Sequence, residues 1–153
     1  MPLAIDPMSI LIAALSLWLQ ITPPYGSYPF SASHPDIKFI LDTNSVSFVT
    51  FKFHKARAYE VDWEGIPVDI DHASLKTKSF EKLATITDLK VKPDGSIHCL
   101  FVFTPVGEEL WKRGLTGRSP VFGVSKCGEG KFCPIRLESV ALTGHPLFKD
   151  LRE

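Results

Sequence analysis

A chain of 153 residues can form one domain with a real hydrophobic core, and its 44% hydrophobic and 22% charged content is that of a globular protein, not a disordered one. Lys plus Arg and Asp plus Glu both number 17, so no basic surplus points to nucleic acid or an anionic membrane as partner. Three cysteines give no metal-ligand pairing. Cys127 and Cys133 lie six apart across an expected hairpin, which is not zinc spacing, and reduced thiols in a cytoplasm are the simpler reading.

The most apolar run, residues 9–21, is too short for a membrane-spanning helix. A secretory signal needs a positive start, yet the first basic residue is Lys38, and Ser31-Ala32-Ser33 lies too far beyond the run for a cleavage site. Residues 1–14 read as a disordered or extra N-terminal segment, followed by a buried opening strand over Leu17–Thr22. Pro23-Pro24-Tyr25-Gly26 ends that strand by turn chemistry. Residues 27–37, rich in Ser and Pro, read as a surface loop, and Asp36–Leu41 as a short strand. Asp42-Thr43-Asn44 suits a helix cap. Segment 45–58 carries two patterns. Val46, Phe48, Phe51 and Phe53 give partial alternation and strand propensity, whereas Val49, Phe53 and Ala56, with Lys52 and Lys55 outside, fit a helix; pattern alone leans to strand.

Ile66–His72 reads as a strand. Period-2 geometry puts His72 on the inward face with Val68 and Ile70 and turns Asp69 and Asp71 the other way. Lys76–Glu81 is a polar connector. Residues 84–91 and 96–104 form a hairpin around Lys92-Pro93-Asp94-Gly95. Thr104 caps a helix that begins with Pro105, carries Lys112 and Arg113 in its last turn and stops at Gly114. Val121–Ser125 and Lys131–Leu142 are strands joined by Gly128-Glu129-Gly130. Thr143-Gly144-His145-Pro146 ends the last strand, and 147–153 is a C-terminal tail. The sum is a single mainly β (α+β) domain over 1–153. Seven or so mostly antiparallel strands with one to three helices suggest a small closed or nearly closed barrel, which removes exposed edges.

Three side chains suggest hydrolytic chemistry. His72, followed by small residues, is placed to act as a base; its plainer role is a packed core histidine. Ser119 is a candidate nucleophile because Gly117 and Pro120 fix the backbone around it; its plainer role is an ordinary turn serine, and it is not in a Gly-x-Ser-x-Gly elbow. Glu138 shares the apolar face of its strand with Val140 and Leu142, where a carboxylate needs a partner. A histidine would serve, as would Arg118 or Arg136. A metal site of Asp69, Asp71 and His72 is opposed by the alternation that splits them across two faces. Cys99 and Cys127 lack the helix N-terminus that would activate a thiol.

Taken in order, Val68-Asp69-Ile70-Asp71-His72, Gly117-Arg118-Ser119-Pro120-Val121-Phe122 and Leu137-Glu138-Ser139-Val140-Ala141-Leu142-Thr143-Gly144-His145-Pro146 resemble the Mu-type phage head maturation (prohead) protease family, the phage I proteins. Trp18-Leu19-Gln20-Ile21, Pro24, Gly26 and Phe103-Thr104-Pro105 extend the resemblance over residues 15–150. It implies a serine endopeptidase related to other tailed-phage prohead proteases and to herpesvirus assemblins, with a β-barrel ringed by helices and a Ser–His pair on neighbouring strands. By matching position, His72 would be the base, Ser119 the nucleophile and Glu138 the third catalytic member. Asp71 stands where the family usually has Glu, and Gly144-His145 replaces an Asn pair, so His145 and Asp71 are alternatives for the third role. The resemblance also implies a helix over 45–58. The implied substrates are the scaffolding protein, the removable segment of the major capsid protein precursor and the protease itself. The implied location is the bacterial host cytoplasm, inside the prohead of a phage or prophage. A homodimer is known among assemblins; no cofactor, metal, nucleic acid or membrane is called for. The alternative is a non-catalytic capsid-assembly or scaffold-linked domain of the same fold.

Overall fold

The computed structural model describes residues 14–31, 33–73, 80–149 and 151. The expectations for the first part of the apolar run and for most of the Lys76–Glu81 connector fall outside these residues.

Strand β1, Ser16–Gln20, is followed by the hairpin of β2, Gly26–Ser31, and β3, His34–Leu41. Helix α1, Thr43–Tyr59, leads to β4, Ile66–Ile70. The hairpin of β5, Ala84–Val91, and β6, Ile97–Phe103, precedes helix α2, Pro105–Lys112. The long hairpin of β7, Gly117–Gly128, and β8, Lys131–Thr143, completes the fold.

Local chemistry accounts for most of these boundaries. Asp42 caps α1: its carboxylate accepts from the Ser45 N–H at 2.8 Å, and the Ser45 hydroxyl accepts from the Asp42 N–H at 3.1 Å, a reciprocal capping box. Val46, Val49 and Phe53 are buried at helical spacing, while Phe48 and Phe51 are exposed. The helical pattern therefore prevails over the alternating one that the phenylalanines suggested. Thr104 caps α2 by accepting from the Gly107 N–H at 3.1 Å, with Pro105 in the first turn. The β5–β6 turn is closed by Lys92 N–H to Ser96 O at 2.9 Å, with Gly95 at φ +90°, where a side chain is disfavoured.

Residues 27–37 are not a loop. The Ser and Pro content of 27–31 reflects an edge strand: among the described residues β2 pairs only with β3, and Pro29 sits beside a register shift where a missing N–H is tolerated. The strands of the last hairpin are also longer than expected, because β7 and β8 stay paired from Gly117↔Thr143 to Gly128↔Lys131.

The eight strands form one mixed sheet, with the path β1-β6-β5-β4-β8-β3-β2 and β7 along the other side of β8. One flank of β8 is shared. Its start, Lys131 and Phe132, runs parallel to β3, and its end, Val140–Leu142, runs parallel to β4. The expected closed or nearly closed, mostly antiparallel barrel is thus corrected: the strands form one large mixed sheet that is not closed. Between β1 and β7 there is no ladder among the described residues. The buried Arg118 on β7 reaches across instead, donating from Nε to the Gln20 carbonyl of β1 at 3.0 Å. Only two helices accompany the sheet among the described residues, so no ring of helices surrounds it. Neither is long and apolar enough to cross a membrane.

The core lies between α1 and the sheet. Val46, Val49 and Phe53 pack with Leu19, Val68, Ile86, Phe101, Leu137, Val140 and Leu142, and burying each large side chain stabilises by about 1.5–3 kcal/mol. The reading of reduced thiols is corrected as well: Cys127 and Cys133 form a disulfide, with Cα atoms 5.9 Å apart. The register shift between Lys126 and Gly128 leaves Cys127 beside the start of β8 rather than in the ladder.

Candidate active site

Ser119 is the third residue of β7 and lies opposite Ala141 on β8. The neighbouring backbone is tightly held. A Cβ on Gly117 would overlap the Thr143 carbonyl oxygen and come within 3.1 Å of the Pro146 ring, so the close pass of the chain after β8 requires glycine there.

His72 reaches Ser119 by a different route from the one its sequence suggests. β4 ends at Ile70, whose side chain is exposed rather than inward. Asp71 and His72 both adopt positive φ, +48° and +62°, a conformation that non-glycine residues reach only at a cost of roughly 1–3 kcal/mol each. The Asp71 N–H still donates to the Leu142 carbonyl at 3.1 Å, so the turn is anchored to β8 while the chain folds over. His72 Nε2 comes to rest 3.2 Å from Ser119 Oγ, across 47 residues of sequence. That is the distance at which a hydroxyl donates to a neutral imidazole. His72 Nδ1 is buried and makes no hydrogen bond among the described residues.

The pair opens into a cleft of about 660 Å³. Its wall is mainly apolar: Phe39, Phe122, Val124, Leu147 and Phe148, with Phe39 stacked on Phe122 at 5.7 Å between ring centroids. His145 and Lys149 supply polar groups, and no carboxylate lines the cleft among the described residues. The phenylalanines were invisible as a unit in the sequence because β3, β7 and the C-terminal tail each contribute one.

Glu138 is not brought to this pair. A register shift lets Val121 face Ser139 and Phe122 face Leu137, so Glu138 faces no residue of β7 in the ladder. The extra residue reverses the alternation. Leu137, Ser139 and Val140 are buried while Glu138 is exposed, joined to Arg136 at 2.6 Å. Of its anticipated partners, Arg136 is the one it meets. His145 lines the cleft with His72 and Ser119, held by its N–H to Thr143 Oγ1 at 3.1 Å. Asp71 is exposed at the turn.

A second Ser–His–Asp grouping has the wrong order for nucleophilic chemistry. The buried Ser96 hydroxyl donates to Asp94 at 2.6 Å and lies 3.1 Å from His98 Nε2, so the hydroxyl, not the imidazole, occupies the centre. Cys99 is fully buried, and desolvation pushes its thiol far above the ordinary cysteine range, which removes it as a nucleophile. Cys127 is spent in the disulfide. Among the described residues no three His, Cys, Asp or Glu side chains are grouped to hold a metal ion. No protein-family model matches the chain, and neither a curated protein nor a solved structure matches it.

Proposed function

We propose that the chain is a serine endopeptidase of phage prohead maturation that cleaves scaffolding protein, capsid precursor and itself. The observation that carries the hydrolytic part is the 3.2 Å approach of His72 Nε2 to Ser119 Oγ at the edge of an apolar cleft. The viral part rests on the ordered sequence resemblance alone. The open sheet departs from the barrel that this resemblance implies, so the fold lends it no weight.

In this reading Ser119 Oγ attacks a peptide carbonyl as His72 Nε2 takes its proton, and the imidazolium then protonates the leaving amine. The charge-poor wall of Phe39, Phe122 and Phe148 suits an apolar peptide side chain; once the amine has left, a water that gives its proton to His72 attacks the acyl-enzyme, releasing the acid product and restoring the Ser119 hydroxyl.

Incubation with a mixed peptide library tests the reading. The native chain is expected to cut a subset of peptides and Ser119→Ala to cut none. A folded native chain that cuts no peptide favours the alternative, a non-catalytic capsid-assembly domain.

A further inference from the structure

We propose that Asp69 is the positioning residue for His72, holding the imidazole above a row formed by Ser119, Ala141 and Asp69. This rests on the hydrolytic reading of the Ser119–His72 pair.

The row follows from register. Ala141 on β8 lies opposite Ser119 on β7 and opposite Asp69 on β4. Residues directly across a ladder project to the same face, so the three side chains stand side by side on three adjacent strands. Neighbouring strands are about 4.8 Å apart, so the row is roughly 10 Å long between its outer backbones. An imidazole with one hydrogen bond on each ring nitrogen spans about 8 Å from hydroxyl to carboxylate. A ring bonded at both nitrogens is thus short enough to lie between Ser119 and Asp69 over the small Ala141; Nδ1 makes no hydrogen bond among the described residues, so the ring must swing toward Asp69 to make this contact.

The turn after β4 makes this possible. On a regular strand His72 and Asp69 would lie on opposite faces. The positive φ values of Asp71 and His72 fold the chain back, bringing the ring onto the face that Asp69 and Ser119 share. With Nε2 committed to Ser119, the remaining nitrogen, Nδ1, faces protein rather than water. A buried ring N–H calls for an acceptor. Glu138 is on the outer surface with Arg136 and does not supply one. Asp69, on β4 three residues before His72, is fully buried. A carboxylate there selects the tautomer with the proton on Nδ1, frees Nε2 to accept from Ser119, and stabilises the imidazolium once it forms.

Imidazole NMR of 15N-histidine-labelled protein tests this without relying on turnover. Native protein and Ser119→Ala are expected to show a slowly exchanging His72 Nδ1–H resonance. Asp69→Asn should lose it, and Glu138→Gln and His145→Ala should keep it. Where a peptide substrate is cut, Asp69→Asn should lower kcat about a thousandfold with KM nearly unchanged. If Asp69→Asn does not fold, Ala141→Val keeps the carboxylate but lifts the ring, and it too should lose the resonance. Persistence of the resonance in a folded Asp69→Asn protein, its absence from the native protein, or its loss in Glu138→Gln overturns the assignment. A native resonance in a chain that cuts nothing keeps the Asp69 assignment while sinking the proteolytic reading.

Discussion

The Arg118 guanidinium joins two strands that share no ladder, donating to the Gln20 carbonyl of β1 at 3.0 Å and to the Thr116 carbonyl at 2.7 Å. It also lies 5.7 Å from the Trp111 ring centre of α2, so one buried side chain gathers β1, β7 and α2. Arg118→Met keeps the length and the apolar stem but removes the donors to the Gln20 and Thr116 carbonyls. Urea unfolding should show a loss of about 2–3 kcal/mol, from the lost charge-assisted bonds. Arg118→Lys should recover only part, because a single ammonium lacks the planar fork that serves two carbonyls. A loss below about 0.5 kcal/mol would mean that the sheet edges hold without it.

The Cys127–Cys133 disulfide gives a direct thiol count. Denatured, unreduced protein should titrate one thiol, Cys99, and reduced protein three. Cys127→Ser with Cys133→Ser should lower stability by about 2 kcal/mol, since a short closed loop removes little entropy from the unfolded chain. Three thiols without reductant would show the bond unformed.

Stability should fall in mild acid, and His98 is a cause. Burial, helped by the nearby charges of Lys92, Lys90 and Arg118 and opposed by Asp94, holds this imidazole below its ordinary value of 6.5. The unfolded chain then binds a proton more readily than the folded one, so the contribution is present above about pH 6.5 and is lost as pH falls below it. Asp94 acts in the same direction lower on the scale. Hydrogen bonds from Ser96 hold its carboxyl below the ordinary 3.8, and its contribution is lost as pH falls through that region. Thermal melts from pH 7.5 to 5 should show a declining Tm in native protein and a flatter profile in His98→Gln. Equal slopes would remove His98 from the account.

What could be read from the sequence was what neighbouring residues decide among themselves. Asp42 and Thr104 cap helices through residues three positions away, and Pro93-Asp94-Gly95 turns a hairpin on its own. What depends on distant partners was not legible. Arg118 finds Gln20 across 98 residues, and that contact replaces the barrel seam that a strand count suggested. His72 and Ser119 could be named, yet the route between them was misjudged, because nothing in Ile70-Asp71-His72 announces two consecutive positive φ values. Glu138 failed for a related reason. Parity counting assumes an unbroken strand, and one extra residue in β8 sends the carboxylate out to Arg136. The same parity rule set Asp69 and His72 on opposite faces, whereas the turn at Asp71 and His72 brings the ring back to the face that Asp69 and Ser119 share.

The central claim is that Ser119 is a nucleophile served by His72. A fluorophosphonate probe, with the adduct located by peptide mass mapping, tests it most directly. The account predicts one adduct on native protein, at Ser119, with labelling slowed at least about a hundredfold in His72→Ala and absent in Ser119→Ala. A folded native protein that takes no label, or takes it at another serine, would contradict it.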